Sequence, residues 1–340
     1  MPAVSYTEFR TLTSIPLIDV RSPAEYQHAH IPGALSLPLF SNDERAAVGT
    51  LYKQQGKDAA VLKGLEIIGP RLRETAEQMK AIAGENQQLG IYCWRGGMRS
   101  GAMAWLAETS GLQPWRLSGG YKAYRHLILQ TLSQPLPLQV IGGKTGSGKT
   151  KALYALEQKG EQMIDLEALA HHKGSAFGHI GQEPQPGNEQ MENQLGECLF
   201  AMKVNKPIWI EDESKNIGSV FLNHAFFLQM TKAPLYIMEI PFAQRVTHLM
   251  ETYGSLPATA LLDSLQRIKK RLGPERFATA EQHIQTGNIQ AALEIVLAYY
   301  DCMYAYQLSL KKDRPIQTLF GENQEEAIRQ LSVQNFSAPR

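Results

Sequence analysis

The sequence predicts an α/β protein of two domains, residues 1–133 and 138–340, the second with a parallel sheet and a helical C-terminal extension. Three observations predict it. A length of 340 residues suits about two domains. Gly143-Lys144-Thr145-Gly146-Ser147-Gly148-Lys149-Thr150 is a full match to the phosphate-binding loop pattern. Fifty residues upstream, Cys93-Trp94-Arg95-Gly96-Gly97-Met98-Arg99 sets a thiol among glycines and arginines, between a strand pattern and a helix pattern.

Composition narrows the class. The chain is 43% hydrophobic and 20% charged, as in soluble globular proteins. Its net charge of +1 supplies no strong field, so contact with a nucleic acid requires local basic patches. Cys93, Cys198 and Cys302 are widely spaced and form no zinc-binding cluster, so no structural metal is expected. No apolar run approaches the ~20 residues that cross a bilayer, and Met1 to Arg10 lacks a basic stretch followed by an apolar core. A cytoplasmic protein with reduced thiols and no membrane partner is expected.

In the first domain, Ile15 to Val20 reads as an apolar strand next to Arg21, followed by a turn at Pro23. Glu25 to His30 is a short helix, Ile31-Pro32-Gly33-Ala34 turns the chain, and Leu35 to Leu39 is a strand. Asn42 to Gly84 is a helical insertion expected near the cysteine loop. Gly90-Ile91-Tyr92 then delivers Cys93 at a strand end, and Met103, Trp105, Leu106 and Ala107 give Ser100 to Ser110 helical spacing.

A loop between strand and helix points backbone N–H groups inward, and the helix dipole adds positive potential at its mouth. Cys93 is therefore expected to titrate low and to react as a thiolate. Gly96 and Gly97 let the backbone approach an anion, and Arg95 and Arg99 supply charge-assisted hydrogen bonds. A lone cysteine in a glycine turn is more often simply buried. Here the paired arginines and the strand–helix setting favour chemistry.

Gln134-Pro135-Leu136-Pro137 marks the domain boundary, Leu138 to Ile141 is a buried strand, and Thr150 to Gln158 is the helix behind the glycine loop. That setting lets the loop amides wrap phosphates while Lys149 reaches terminal oxygens and Thr150 meets Mg²⁺. Strands at Met163 to Asp165 and Pro207 to Glu213 end in acids, and Leu235 to Ile240 is a further strand. Asp165, Glu211 and Asp212 are candidates to place Mg²⁺ or orient a nucleophile. Ala168 to Asn193, with His171 and His172, reads as a mobile loop that closes over a ligand. Arg267, Lys269, Lys270 and Arg271 gather positive charge on a helix that suits phosphates or forms a solvated face. The segment Leu293 to Leu308 has helical spacing, and Cys198 and Cys302 read as structural.

The pieces Asp19-Val20-Arg21, His30-Ile31-Pro32-Gly33-Ala34, the Cys93 loop and Leu117-Ser118-Gly119-Gly120-Tyr121 resemble the rhodanese family. Members of that family carry sulfur as a persulfide on the loop cysteine. Five residues separate Cys93 from Arg99, a wider spacing shared with Cdc25-like phosphatases, which implies room for a phosphate-sized group. A rhodanese-like domain ahead of a P-loop domain, with Asn42 to Thr50, Glu211-Asp212-Glu213-Ser214 and Tyr299-Tyr300-Asp301 in order, resembles the tRNA 2-selenouridine synthase family.

That resemblance implies replacement of sulfur by selenium in 2-thiouridine at the tRNA wobble position. The implied co-substrates are selenophosphate and geranyl diphosphate, with an S-geranyl intermediate. Geranyl transfer then belongs to the Gly143 to Thr150 loop, with Asp165, Glu211 or Asp212 placing Mg²⁺ or polarising the diphosphate. Selenium exchange belongs to Cys93, with Arg95 and Arg99 on the selenophosphate, and Arg267, Lys269, Lys270 and Arg271 are candidate tRNA contacts. Two rivals are an ATP-using persulfide sulfurtransferase acting on tRNA and a regulatory protein that only senses ligands.

Overall fold

The computed structural model describes residues 3–203, 205–309 and 314–333. The chain divides into two compact units, Met1–Thr131 with Glu192–Glu197, and Leu132–Met191 with Cys198–Arg340.

The first unit holds five parallel strands, β1 (Ala3–Val4), β2 (Leu17–Asp19), β3 (Leu35–Ser36), β4 (Gln88–Tyr92) and β5 (Gln113–Leu117), in the order β1-β5-β4-β2-β3. A central parallel strand is covered on both faces, which explains why Leu89, Ile91 and Tyr92 of β4 are all fully buried. Helix Pro23–His28 follows β2 with proline in its first turn and a Ser22–Glu25 capping box. Helix Met98–Thr109 follows β4 and buries Met103, Ala104, Leu106 and Ala107 against the sheet. The expected strand at 35–39 stops at Ser36, since beyond it Leu39 N–H bonds back to the Val20 carbonyl.

The insertion is helical as expected. It comprises Asn42–Gln55, Lys57–Ile68 and Leu72–Ala83. A Ser41–Glu44 capping box starts the first, and Gly56 at φ 89° separates it from the second. The first helix buries no residue, and the second buries only Ala60 and Gly64.

In the second unit, β6 (Leu138–Gly142), β7 (Gln162–Ile164), β8 (Ile208–Glu211), β11 (Leu235–Glu239) and β12 (Ile316–Phe320) form a parallel sheet of order β12-β11-β6-β8-β7. A small antiparallel hairpin, β9 (Asn216–Ile217) with β10 (Val220–Phe221), stands apart. Trp209, Ile141, Met238 and Leu153 anchor the core between sheet and helices. A second core joins helices Phe242–Tyr253, Ala258–Leu272, Pro274–Gln285 and Ile289–Ser309, the helical extension that the spacing predicts.

The segment read as a loop over 168–193 differs at both ends. Leu166–Leu169 is a short helix and Asn188–Ala201 a long one. Between them the backbone is hydrogen-bonded to itself, Lys173 N–H to Gly178 O, and Gln185 ties Ala170 O to Ile217 O. Gln185 also accepts from Ser219 N–H, so the segment is tied both to itself and to the hairpin that follows β8. Cys198 is half-buried, whereas Cys302, expected to pack, lies exposed on its helix.

Candidate functional site

The cysteine loop is held from behind. Cys93 O accepts from Tyr121 N–H and Trp94 O from Lys122 N–H, both 2.9 to 3.0 Å, so these carbonyls are committed to the start of helix Gly120–Ser133. Among the described residues no carbonyl takes the N–H groups of Arg95 to Met98. Gly96 sits at φ 65°, and a β-carbon there would meet Leu117 O at 2.6 Å, so the turn admits only glycine. Gly97 caps the following helix. The result is a ring of donors that no carbonyl claims around a sulfur, as an anion cradle requires.

Cys93 is buried on the floor of this ring, while Trp94, Arg95, Gly97 and Met98 are exposed. Its thiol donates to Ser100 Oγ at 3.3 Å, and Ser100 Oγ–H donates to Gly97 O. Burial pushes the thiol up. The Ser100 hydroxyl, the Ser100 and Arg95 N–H groups and the Arg99 charge outweigh it and leave the pKa below the ordinary value.

Arg99 has a partner that sequence reasoning missed. Its guanidinium forks onto Glu25 at 2.7 and 3.2 Å, with Arg45 at 3.8 Å. Burial raises the Glu25 carboxyl, but Arg99, the Ser22 N–H and Arg45 hold it down at about 2. Arg99 therefore acts on Cys93 through its charge, while the Arg95 side chain is exposed beside the loop. Asp19 and Arg21 form a buried pair at 2.6 Å with Arg21 over the Tyr121 ring, which makes that motif part of the core.

Beside the loop, the insertion helices and Met98, Arg99 and Ala102 enclose a hollow of about 570 Å³ walled by Phe40, Val61 and Leu65. The apolar faces that these helices keep out of the core line it. Arg45 and Lys53 reach its lining from the first insertion helix.

In the second unit, Gly143 leaves β6 and Lys149 opens helix Lys149–Glu157 behind Gly148, which is at φ 86°. Two buried groups turn the loop carbonyls outward. Arg245 donates to Thr145 O at 3.1 Å and is itself gripped by Asp301 at 2.8 and 2.6 Å. Gln324 donates to Gly146 O at 3.0 Å and lies so close to Gly148 that a β-carbon there would meet it at 2.7 Å. Among the described residues no acceptor takes the N–H groups of Gly146, Gly148, Lys149 or Thr150. Ser147 Oγ is buried without a partner among the described residues, and Lys144 pairs with Glu239 at 2.6 Å. A cavity of about 280 Å³ opens over these donors.

The acids divide by role. Thr150 Oγ1–H donates to Glu211 Oε1 at 2.9 Å, while Glu211 Oε2 accepts from Leu166 N–H. Glu211 is fully buried at the end of β8, and burial together with Asp165, Glu167 and Glu213 raises its carboxyl well above the usual range. Asp165 caps helix Leu166–Leu169 and accepts from Tyr154 O–H, so its role is local. The Asp212 side chain is buried 3.8 Å from Arg314. Glu167, which the sequence did not single out, is pushed up to about 8 by burial and by Glu213, against the pull of Lys149. Burial disfavours the Lys149 charge, but Glu213, Glu167, Glu211 and Asp212 outweigh it and raise its pKa.

The basic segment also divides. Arg267 and Arg271 line a second cavity, of about 690 Å³, that shares Gly143, Thr145 and Lys149 with the loop. Lys269 stacks on Phe277 at 4.6 Å instead, and Lys270 is exposed outside that cavity's lining. Among the described residues no group of three or more His, Cys, Asp or Glu is arranged to hold a metal, and no helix is long and apolar enough to cross a membrane.

A cysteine loop lined with backbone donors on one parallel sheet and a glycine-rich loop of the P-loop pattern on another define the class: a rhodanese-like module joined to a P-loop module. Comparison with known proteins agrees. Residues 7–127 match the rhodanese-like domain and residues 136–337 the tRNA 2-selenouridine synthase AAA domain. The tRNA 2-selenouridine synthase of Serratia proteamaculans strain 568 is 38% identical over 339 residues, covering 89% of each chain. Those of Psychromonas ingrahamii and Shewanella loihica are 33% and 35% identical, covering 89% and 88% of this chain and 90% and 89% of theirs. The chain belongs to the tRNA 2-selenouridine synthase family, and it is an enzyme.

Proposed function

We propose that this enzyme converts 2-thiouridine at the wobble position of tRNA to 2-selenouridine in two steps, one at each loop. The observation that carries the reading is the pair of donor-lined cradles in one chain, one around a low-titrating thiol and one around an amine. Two such cradles suit two anionic co-substrates, geranyl diphosphate and selenophosphate.

In the first step the thiocarbonyl sulfur attacks C1 of the geranyl group, the C–O bond breaks, and diphosphate leaves with the electron pair. The base loses its N3 proton to solvent. Lys149 and the N–H groups of Gly146, Gly148 and Thr150 hold the diphosphate and take up the charge that develops on it. Thr150 and Glu211 fit a Mg²⁺ ion carried by the diphosphate, because magnesium commonly takes one or two protein oxygens and completes its shell with phosphates and water. Such an ion would add charge neutralisation at the leaving group.

In the second step the Cys93 thiolate attacks C2 of the S-geranyl base, and the bond from C2 to the geranyl sulfur breaks to release geranylthiol, which takes a proton from solvent. Selenium of selenophosphate, held by the loop amides and Arg95, then attacks C2 and Cys93 leaves as thiolate. Water cleaves P–Se and leaves phosphate. The apolar hollow beside Met98 and Arg99 suits the ten-carbon chain of the leaving thiol.

Mass spectrometry of nucleosides after incubation of the enzyme with tRNA, geranyl diphosphate and selenophosphate tests the scheme. Lys149→Ala is expected to abolish the S-geranyl product, and Cys93→Ser to retain it while losing 2-selenouridine. Normal geranylation by Lys149→Ala, or full selenation by Cys93→Ser, refutes the assignment of that step. Release of ADP or AMP driven by tRNA would support the ATP-using sulfurtransferase instead.

A further inference from the structure

The phosphate-binding loop explains only one end of the cavity that Arg267 and Arg271 line. About 690 Å³ is more than a diphosphate fills, and the far walls are aromatic and cationic rather than apolar. Arg267 and Arg271 are one turn apart on helix Ala258–Leu272, so they project side by side. Both are exposed, and among the described residues neither has a carboxylate within ion-pair distance. Two adjacent unpaired guanidinium groups on a cavity wall match two phosphates in sequence.

The remaining walls suit a base. Tyr300 and Tyr304 come from helix Ile289–Ser309, and Ile268 and Ala176 add apolar surface. His172 and His179 lie opposite with near-parallel rings, 6.5 Å apart at 24°. Burial lowers the pKa of each, with His179 and then Arg267 adding to it at His172, and Arg267 adding to it against Asp263 at His179; a neutral imidazole both donates and accepts. Asp212 and Glu213 line the same space on the loop side and discourage a second anion there.

We infer that this cavity receives the target pyrimidine nucleotide swung out of its RNA loop, with its flanking phosphates on Arg267 and Arg271 and its base walled by Tyr300, His172 and His179. Single-stranded RNA is read in this way, by splayed bases on aromatic or planar side chains with hydrogen bonds to their edges. The placement deepens the proposed function and rests on it for the identity of the RNA. It also puts the base beside Lys149, which holds the leaving group of the first step.

The test is binding of a fluorescent anticodon stem-loop RNA with 2-thiouridine at the wobble position, measured by anisotropy with the full chain. Arg267→Ala and Arg271→Ala are each expected to weaken binding about ten-fold or more and to reduce the salt slope by about 1. Lys270→Ala, the same charge change outside the cavity lining, is expected to weaken it less than about two-fold. Tyr300→Ala should weaken binding of this RNA but not of one abasic at the wobble position. A urea-unfolding midpoint of Arg267→Ala equal to the parent's, as expected when an exposed side chain is removed, assigns the weaker RNA binding to the lost contact and not to unfolding. Equal losses for Arg267→Ala and Lys270→Ala, or a Tyr300→Ala effect that persists with abasic RNA, overturn the inference. An enzyme that shows the arginine contrast yet never alkylates 2-thiouridine overturns the proposed reaction and leaves the nucleotide cavity standing.

Discussion

Removing Asp301 probes how the P-loop is kept open. Arg245 is 2% exposed and spends its donors on Asp301, on Ile240 O at 3.2 Å and on Thr145 O at 3.1 Å. Asp301→Ala leaves a buried guanidinium without its counter-charge, a change that costs about 3–5 kcal/mol where both partners are buried. The Asp301 side chain is 21% exposed, so water compensates in part and the low end, about 3 kcal/mol, applies. Once Arg245 is no longer anchored, the Thr145 carbonyl loses a charge-assisted bond worth about 1.5–3 kcal/mol and becomes free to turn inward. At 1.4 kcal/mol per decade, pyrophosphate affinity falls roughly ten- to a hundred-fold. Urea unfolding followed by circular dichroism reads the first quantity and titration calorimetry the second. The double variant Arg245→Met with Asp301→Leu separates them. It leaves no buried charge and should recover stability, yet it cannot bond Thr145 O and should still bind pyrophosphate weakly. Normal pyrophosphate affinity in the double variant would refute the claim that Arg245 shapes the loop.

Two further outcomes follow from the first unit. The rate of Cys93 alkylation by iodoacetamide against pH should inflect below the ordinary cysteine value, and Ser100→Ala should move the inflection up; an unmoved inflection shows that Ser100 does not tune the thiol. Glu25 has a folded pKa of about 2 against an ordinary 4.5, so it contributes stability that is present above about pH 4.5 and lost as pH falls towards 2. Glu25→Gln should therefore lower stability at pH 7 by about 1–2 kcal/mol, less than the full shift implies because solvent screens a half-buried pair, and should flatten the acid limb of the unfolding curve, whereas an unchanged acid limb would show that the Arg99 pair contributes nothing.

The two loops were legible in the sequence because each is a contiguous run whose chemistry depends on local backbone geometry. Glycines that need positive φ, a nucleophile at a strand end and a helix start directly after it occupy neighbouring positions in the chain. The helical insertion was legible for the same reason. Among the acids, spacing nominated Asp165, Glu211 and Asp212 alike, and only the fold separates Glu211 beside Thr150 from Asp165, a helix cap, and Asp212, opposite Arg314.

Sequence alone thus determined the two-domain α/β class, the strands that feed the two loops and the loops themselves, since those follow from periodicity and from turn chemistry within about ten residues; the strands β1, β5 and β12 that complete the sheets emerged only in the fold. Tertiary structure decided what surrounds each loop. Glu25 reaches Arg99 across 74 positions, Asp301 reaches Arg245 across 56, and Gln324 reaches Gly146 across 178. Partners so far apart leave no pattern in a single chain, because the contact depends on which parallel strands lie side by side and on how the helices after them pack. The same packing turned two arginines of one basic run towards a cavity and left its two lysines elsewhere.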